Sequence, residues 1–535
     1  MPKGNRRKKF RLQKGALCFG LGILATVSIL LPYIYIKNSG KETPFFRDVE
    51  KIVETLDKKT LTHSNPPAPK KTLTHSNPPA PKKEPPPKPI EFFKPLVSLE
   101  KPEESEKPEL KTIDNPIADE IRVGMQKAFQ AYMRDAWKAD EYMPVQKRGT
   151  NTFGGKGLTI IDSLDTLYLM GLHEEFGRAR AFVVEDFSFG GYVNVFENTI
   201  RVLGGLLSAY SLTNDELFLS KAKMVGEVLL EAFPQRIPCG VIDTNRPGYC
   251  GSQSWAGGKS VNAEVGTLAV EFVALSRFTG DTRWSDKIQA INNYWREHNR
   301  QLLQMNIDPK TEHMSGPATI GGGIDSTYEY LIKLRQLTGD RLAGDLYSTF
   351  EEMIVDQMFV TYSGTTFARA AGSDDLEHLG CFLGGMLIMG KQYVEEGLAM
   401  TETCARMYTT NPSGIACDKV RIQRDGSIRC VNDVYLLRPE AVESIFYAWR
   451  ETHDQKWRDY ARDIWREIAK HCQVDSGGFT DVRPVTSNTP TKMDKQESWF
   501  LAETMKYLWL IFQEDTVIPL DKYVFNTEAH TIKVF

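Results

Sequence analysis

The sequence has no excess of charge of either sign: 66 basic against 69 acidic residues leave a net charge of −3. That excludes the strongly basic footprint by which nucleic-acid-binding domains hold phosphates, and no nucleic-acid partner is expected. No Asn-x-Ser/Thr sequon with a permitted middle residue occurs, so the chain is not expected to carry N-linked sugar itself. Clean apolar/polar alternation is scarce, which points the globular part toward helices. Two absences are local: Gly15 to Ile36 contains no charge, and no glycine occurs between Gly40 and Gly124. What is present, 41% hydrophobic and 25% charged residues over 535 positions, is a globular composition with a large core to bury.

The local absences define an N-terminal architecture. Residues 1–14 hold Lys3, Arg6, Arg7, Lys8, Lys9, Arg11 and Lys14 without an acid, and a 22-residue uncharged run follows at 15–36. About 20 apolar residues cross a bilayer, and the positive flank keeps the N-terminus in the cytosol, so a signal anchor is expected. The rival is a cleaved signal peptide, but Leu30 to Tyr35 offers no small-residue cleavage site. Residues 37–116 form a stem: 14 of the 28 prolines lie between Pro66 and Pro116, and KKTLTHSNPPAP occurs at 58–69 and again at 70–81. Such a segment favours extended polyproline conformations and reads as a disordered, semi-rigid spacer.

Residues 117–535 read as helical. Apolar positions recur at three and four residues in Val202–Leu212, Val265–Phe278 and Trp457–Cys472. Between such runs stand Leu212-Thr213-Asn214-Asp215, Phe278-Thr279-Gly280-Asp281, Leu337-Thr338-Gly339-Asp340 and Glu451-Thr452-His453-Asp454. Gly or Asn suits the left-handed end of one helix and Asp caps the next. Looser tips fall at Gly171, Gly390 and near Gln513-Glu514-Asp515, giving seven markers 42 to 66 residues apart. A hairpin cannot bury its inner face alone, so such an array either closes into a ring or extends as a solenoid.

Several acids stand in apolar or turn-like contexts: Glu197, Glu264, Asp325, Glu440, Glu443, Glu503 and Glu528 beside Thr527. A ring would direct them at a common axis. Carboxylates gathered there repel one another, and the remedies are a hard cation with oxygen ligands, protonation, or arginine partners such as Arg201 and Arg438. Paired carboxylates serve glycoside hydrolysis, one protonated to donate to the leaving oxygen and one ionised. Spacing alone does not choose between this and a metal-dependent phosphatase.

The chain resembles the class I α-1,2-mannosidases, glycoside hydrolase family forty-seven, over Ile117 to Phe535. The resemblance rests on IIDSLDTLYLMGL (160–172), VFENTIRVLGGLLSAY (195–210), NAEVGTLAVEF (262–272), IDSTYEYLIK (324–333), HLGCFLGG (378–385), LRPEAVES (437–444), ESWFLAETMKYLWLIF (497–512) and VFNTEAH (524–530). It implies an all-α fold, an (αα)7 barrel of helical hairpins holding one Ca2+. It also implies hydrolysis, with inversion, of terminal α-1,2-linked mannose from high-mannose N-glycans. The resemblance makes Glu197 the proton donor, acting through a water, and Glu440 the base, with Asp325 a third essential acid. Thr527 would bind calcium through its hydroxyl and carbonyl. Glu264, Glu443, Glu503 and Glu528 would hold calcium-bound waters or sugar hydroxyls, Arg201, His378 and Arg438 would contact sugar, and Trp499 would pack on the mannose face. Cys381 and Cys404 match the family's disulfide.

Three positions depart from the family pattern. Asp418 stands where a glutamate sometimes counted as a second acid is usual, Thr327 replaces an aromatic, and Gly323 occupies the place of an arginine carried by endoplasmic-reticulum members. The last makes the chain look like the Golgi members, single-pass type II proteins of the Golgi membrane with a lumenal catalytic domain. The departures at Asp418 and Thr327 leave an alternative, a mannose-binding or quality-control relative with little turnover. Cys18 lies in the expected anchor; Cys239 with Cys250 and Cys417 with Cys430 flank short loops and are expected local pairs, leaving Cys472 over.

Overall fold

The computed structural model describes residues 115–535 apart from Ala371. The expected tail, anchor and nearly all of the stem lie outside the described residues. Among the described residues no helix is long and apolar enough to cross a membrane.

The first helix, α1 (Pro116–Asp135), starts where Asn115 Oδ1 accepts the Ile117 amide at 3.0 Å and Pro116 has no N–H that needs an acceptor. Six helical hairpins follow. The short pair α2 (Leu158–Asp162) and α3 (Leu164–Leu169) returns through α4 (His173–Glu185). A π-helical segment, Asn198–Leu203, runs into α5 (Gly204–Thr213) and returns through α6 (Glu216–Leu230). Then α7 (Asn262–Gly266) and α8 (Ala269–Thr279) return through α9 (Arg283–His298), and α10 (Asp325–Thr338) through α11 (Arg341–Met358). Next come α12 (Phe382–Gly390) with α13 (Val394–Thr409) and α14 (Glu440–Thr452) with α15 (Gln455–Cys472). A second π-helical segment, Phe500–Thr504, leads into α16 (Met505–Ile511).

Burial separates two layers. In α10 the residues from Ser326 to Leu334 are all buried, whereas in α15 burial is confined to Trp457, Ala461, Ile464, Trp465, Ile468, His471 and Cys472, a helix-period stripe. The inner helices touch in cyclic order, α3 to α5, α8, α10, α12, α14 and α16, and the Phe500–Thr504 segment closes onto α3. The ring is therefore closed, and the solenoid is excluded for these residues.

The hairpin tips follow the cap chemistry. Asn214, Gly280, Gly339 and His453 take left-handed φ values of 55°, 74°, 72° and 51°, and Asp215, Asp340 and Asp454 accept amides of the next helix. The expected tip near Gln513 is corrected: no helix follows α16. Its outer partner is α1, from the opposite end of this region, so the seventh pair is closed by residues distant in sequence. A second correction concerns the all-α expectation. Among the described residues there are also seven sheets of two or three short strands. Six lie on connections running from an outer helix to the next inner one. Their strands reach at most five residues, too short for alternation to register.

This wiring makes every inner helix run the same way, with its N-terminus at the end carrying the long connections. The seventh sheet is the terminal hairpin of Tyr523–Phe525 and Thr531–Lys533. Its buried tip enters the ring from the other end, where the Phe535 amide bonds the Leu337 carbonyl at 3.0 Å. Lys333 Nζ holds the Asn526 carbonyl at 3.0 Å and Lys506 Nζ the Ala529 carbonyl at 2.6 Å. Cys239–Cys250, Cys381–Cys404 and Cys417–Cys430 are bonded, and Cys472 is free and buried.

Candidate active site

Because the inner helices share one direction, their N-terminal turns converge, and the N-terminal end of a helix favours negative charge. Asp325 and Glu440 are the first residues of α10 and α14, and Glu197 ends a one-turn helix capped by Asn194, whose Oδ1 takes the Glu197 amide at 3.1 Å. They line a pit of about 770 Å³ together with Glu329, Glu443, Glu503, Thr527 and Glu528, the two arginines Arg201 and Arg438, and Trp499.

Arg201 is the cation on one side. Its Nε meets Glu197 at 2.8 Å, and its Nη1 donates to Glu528 and reaches Asp162 at 3.6 Å. On the other side His378 Nδ1 meets Glu440 Oε2 at 2.8 Å, and Arg438 Nη1 lies 3.9 Å from Glu440 Oε1. Trp499 stands between them, its ring 5.3 Å from the Arg201 guanidinium and 5.9 Å from that of Arg438, with Nε1 donating to the Leu436 carbonyl at 3.1 Å. Leu437, at φ 61°, is a left-handed non-glycine residue that turns Arg438 and Glu440 into the pit, and Thr504 Oγ1 holds its carbonyl at 2.8 Å.

These partners separate the acids. Burial drives Glu440 toward the neutral form, but the His378 hydrogen bond and Arg438 outweigh it and hold the carboxyl below its ordinary value. Asp325 has only the Ser326 amide at 2.8 Å and the Ser326 hydroxyl at 3.2 Å, so burial, helped by Glu329 and Glu440, pushes it up to about 7. Burial and then neighbouring carboxylates lift Glu443 and Glu503 well above the carboxylate range, and burial lifts Glu528 to about 8 against the pull of Arg201.

Other expected residues stand back from the pit. His378 is behind Glu440, its Nε2 on the Tyr408 hydroxyl at 3.0 Å. Asp418 does not line the pit: its carboxylate takes Arg438 Nε at 2.7 Å and Asn432 Nδ2 at 3.1 Å. Glu264 accepts its own helix's Val261 amide at 3.3 Å and is pushed up to about 7 by burial and by Glu197. Sequence reasoning missed Glu329, paired with Lys333 one turn after Asp325, although that i, i+4 spacing was available. It also missed Asp162 and Asp165, which hold His530 from beneath at 3.2 Å each.

Seven acids against two arginines line the pit, a donor set suited to a hard cation. Among the described residues no three His, Cys, Asp or Glu side chains are grouped for direct ligation. Thr527 lines the same pit, so a hydroxyl and several carboxylates, all hard oxygen donors, are available to a cation there.

A closed ring of helical hairpins that brings to one pit a carboxyl held low by its partners and another raised by burial matches the paired acids of a glycoside hydrolase. Relatives agree. The profile of Glycosyl hydrolase family 47 matches residues 124–534, and the chain belongs to that family. It is 37% identical to mannosyl-oligosaccharide 1,2-alpha-mannosidase IB of Mus musculus over 78% of this chain and 69% of that protein. It is 36% identical to the Arabidopsis thaliana enzyme MNS1 of the same description over 79% of each. The solved structure of an alpha-1,2-mannosidase from Trichoderma reesei superposes with a TM-score of 0.72 at 25% identity, covering 78% of this chain and 99% of that one.

Proposed function

We propose that the chain releases terminal α-1,2-linked mannose from high-mannose N-glycans by hydrolysis with inversion. What carries the mechanism is the split between Glu440, held low by the His378 hydrogen bond at 2.8 Å and by Arg438, and Asp325, which has no cationic partner and is raised by burial to about 7. In this reading Glu440 takes a proton from the attacking water. The proton for the leaving oxygen comes from the other acids, Asp325, which holds one near neutral pH, and Glu197, oriented by Arg201. Trp499 presents a face to the sugar ring, and Arg201 and Arg438 bind hydroxyls while fixing their acids. Thr527 would hold a calcium ion, with Glu443, Glu503 and Glu528 acting through its waters. Bound there, the ion would order sugar hydroxyls and offset the surplus of negative charge.

The uncharged 15–36 run and the basic residues before it support a type II anchor, with 37–116 as spacer and 117–535 as the lumenal catalytic domain. Gly323 supports a Golgi assignment. At φ 98°, with a Cβ facing Met305 Cγ at 3.0 Å, this position disfavours the arginine of endoplasmic-reticulum relatives. The test is mannose release from a nine-mannose glycan by wild type and by Glu440→Gln. Loss of release with unchanged thermal unfolding supports the reading. Binding without release by the wild type favours a lectin instead.

A further inference from the structure

Trp255 is the one exposed tryptophan of nine, at 65% relative exposure, in a helical turn Ser254–Ala256 on the connection between α6 and α7. A single exposed apolar side chain is ordinary; its mounting here is not. The Cys239–Cys250 disulfide braces the strands before it, and Ala256 packs with Val261, Ala263 and Met305 after it. The indole is thus presented on a turn anchored at both ends.

The same connection forms the rim beside the acids. The Gly240 carbonyl accepts the Val195 amide at 3.0 Å, two residues before Glu197. A Cβ on Gly240 would sit 2.8 Å from Glu264 Oε2, and the Gln253 side chain acts on the same carboxyl. Met305 packs against the backbone of Gly323, two residues before Asp325. Trp255 therefore sits on a connection that abuts the segments delivering Glu197 and Asp325, and it has no role in the core.

A flat apolar face bordered by a polar rim suits a pyranose ring, whose axial C–H face is apolar and whose edge is hydroxylated. Only part of a branched glycan fits the pit, so the rest of the same molecule must lie across the rim. We propose that Trp255 is a positioning residue for a sugar outside the pit, stacking on a distal pyranose of the glycan and so biasing which arm enters. This rests on the glycosidase reading.

The test uses the full chain with calcium, comparing wild type, Trp255→Ala and Trp255→Tyr on a nine-mannose glycan and on the α-1,2-linked mannose disaccharide. Trp255→Ala should lower kcat/KM on the glycan about tenfold through KM, the loss of one stacking contact, with kcat unchanged. Activity on the disaccharide should stay the same, and Trp255→Tyr should recover most of the loss. Equal effects on both substrates, or none, would overturn the proposal. A wild type that cleaves neither substrate would defeat the catalytic reading. Glycan-dependent tryptophan emission, present in wild type and lost in Trp255→Ala, would then still decide the stacking, and its absence would reject it.

Discussion

His378 Nδ1 lies 2.8 Å from Glu440 Oε2 while its Nε2 meets the Tyr408 hydroxyl at 3.0 Å, so one buried imidazole joins the first residue of α14 to α13. Its hydrogen bond is the largest influence holding Glu440 ionised against burial. His378→Ala should cut kcat about 10-fold to 100-fold, the usual effect of losing an orienting partner. Because Glu440 would then titrate higher, the acidic limb of the pH–rate profile should move to higher pH. An unmoved limb would mean that His378 only packs.

Asp418 already reaches Arg438 at 2.7 Å, so the family glutamate has no bond left to restore. Asp418→Glu should bring no gain in kcat/KM. Asp418→Ala should lower it about tenfold by freeing Arg438, a loss of about 1.4 kcal/mol. A large gain for the glutamate variant would make the aspartate a crippling substitution.

The proton donor is separable from the base with a substrate whose leaving group needs no proton, such as α-mannosyl fluoride. The variant of the true donor, Asp325→Asn or Glu197→Gln, should lose far more activity on the glycan than on the fluoride. Glu440→Gln should lose both. Equal losses on the two substrates for both acid variants would reject a donor role for either.

Calcium-free protein should lose stability as pH rises. Glu528, at about 8 when folded against an ordinary value of 4.5, binds a proton in the folded state that the unfolded chain has released, and Glu443 and Glu503 shift the same way. With more protons on the folded form, unfolding becomes easier with increasing pH. Tm of the chelated protein should fall between about pH 5 and 8 and be restored by added calcium, by a margin that grows with pH. A flat chelated profile would count against the cation site.

Thr327 Oγ1 is buried without a hydrogen-bond partner, its side chain against Gly266. Thr327→Val should leave stability unchanged or raise it by up to about 1 kcal/mol, since no bond is lost and an unsatisfied hydroxyl is removed. A marked fall in Tm would reveal a partner for that hydroxyl.

The hairpins were legible because capping is local: Asn214-Asp215 and Gly339-Asp340 encode their turns within four residues. The pit acids were legible as a set, from their apolar surroundings and their motif blocks. Glu329 was not, because a Glu four residues before Lys333 reads as an ordinary helix pair until both are found buried. The seventh outer helix was misplaced because hairpin spacing assumes that partners are neighbours in sequence, and α1 meets α16 only when the ring closes.

By itself the sequence determined the helices, their caps and the types of residue available for acid–base work, since all of these depend on spacing and chemistry along the chain. Only the tertiary structure decided which acid holds its proton. Asp325 and Glu440 occupy the same first-turn position of two inner helices of the one ring, yet one faces only the amide and hydroxyl of Ser326 and the other a histidine and an arginine. Arg438 is local to Glu440, two residues before it, but His378 arrives from a segment 62 residues away. Charge state depends on burial and on what folding brings within a few ångströms, and neither is written in local sequence.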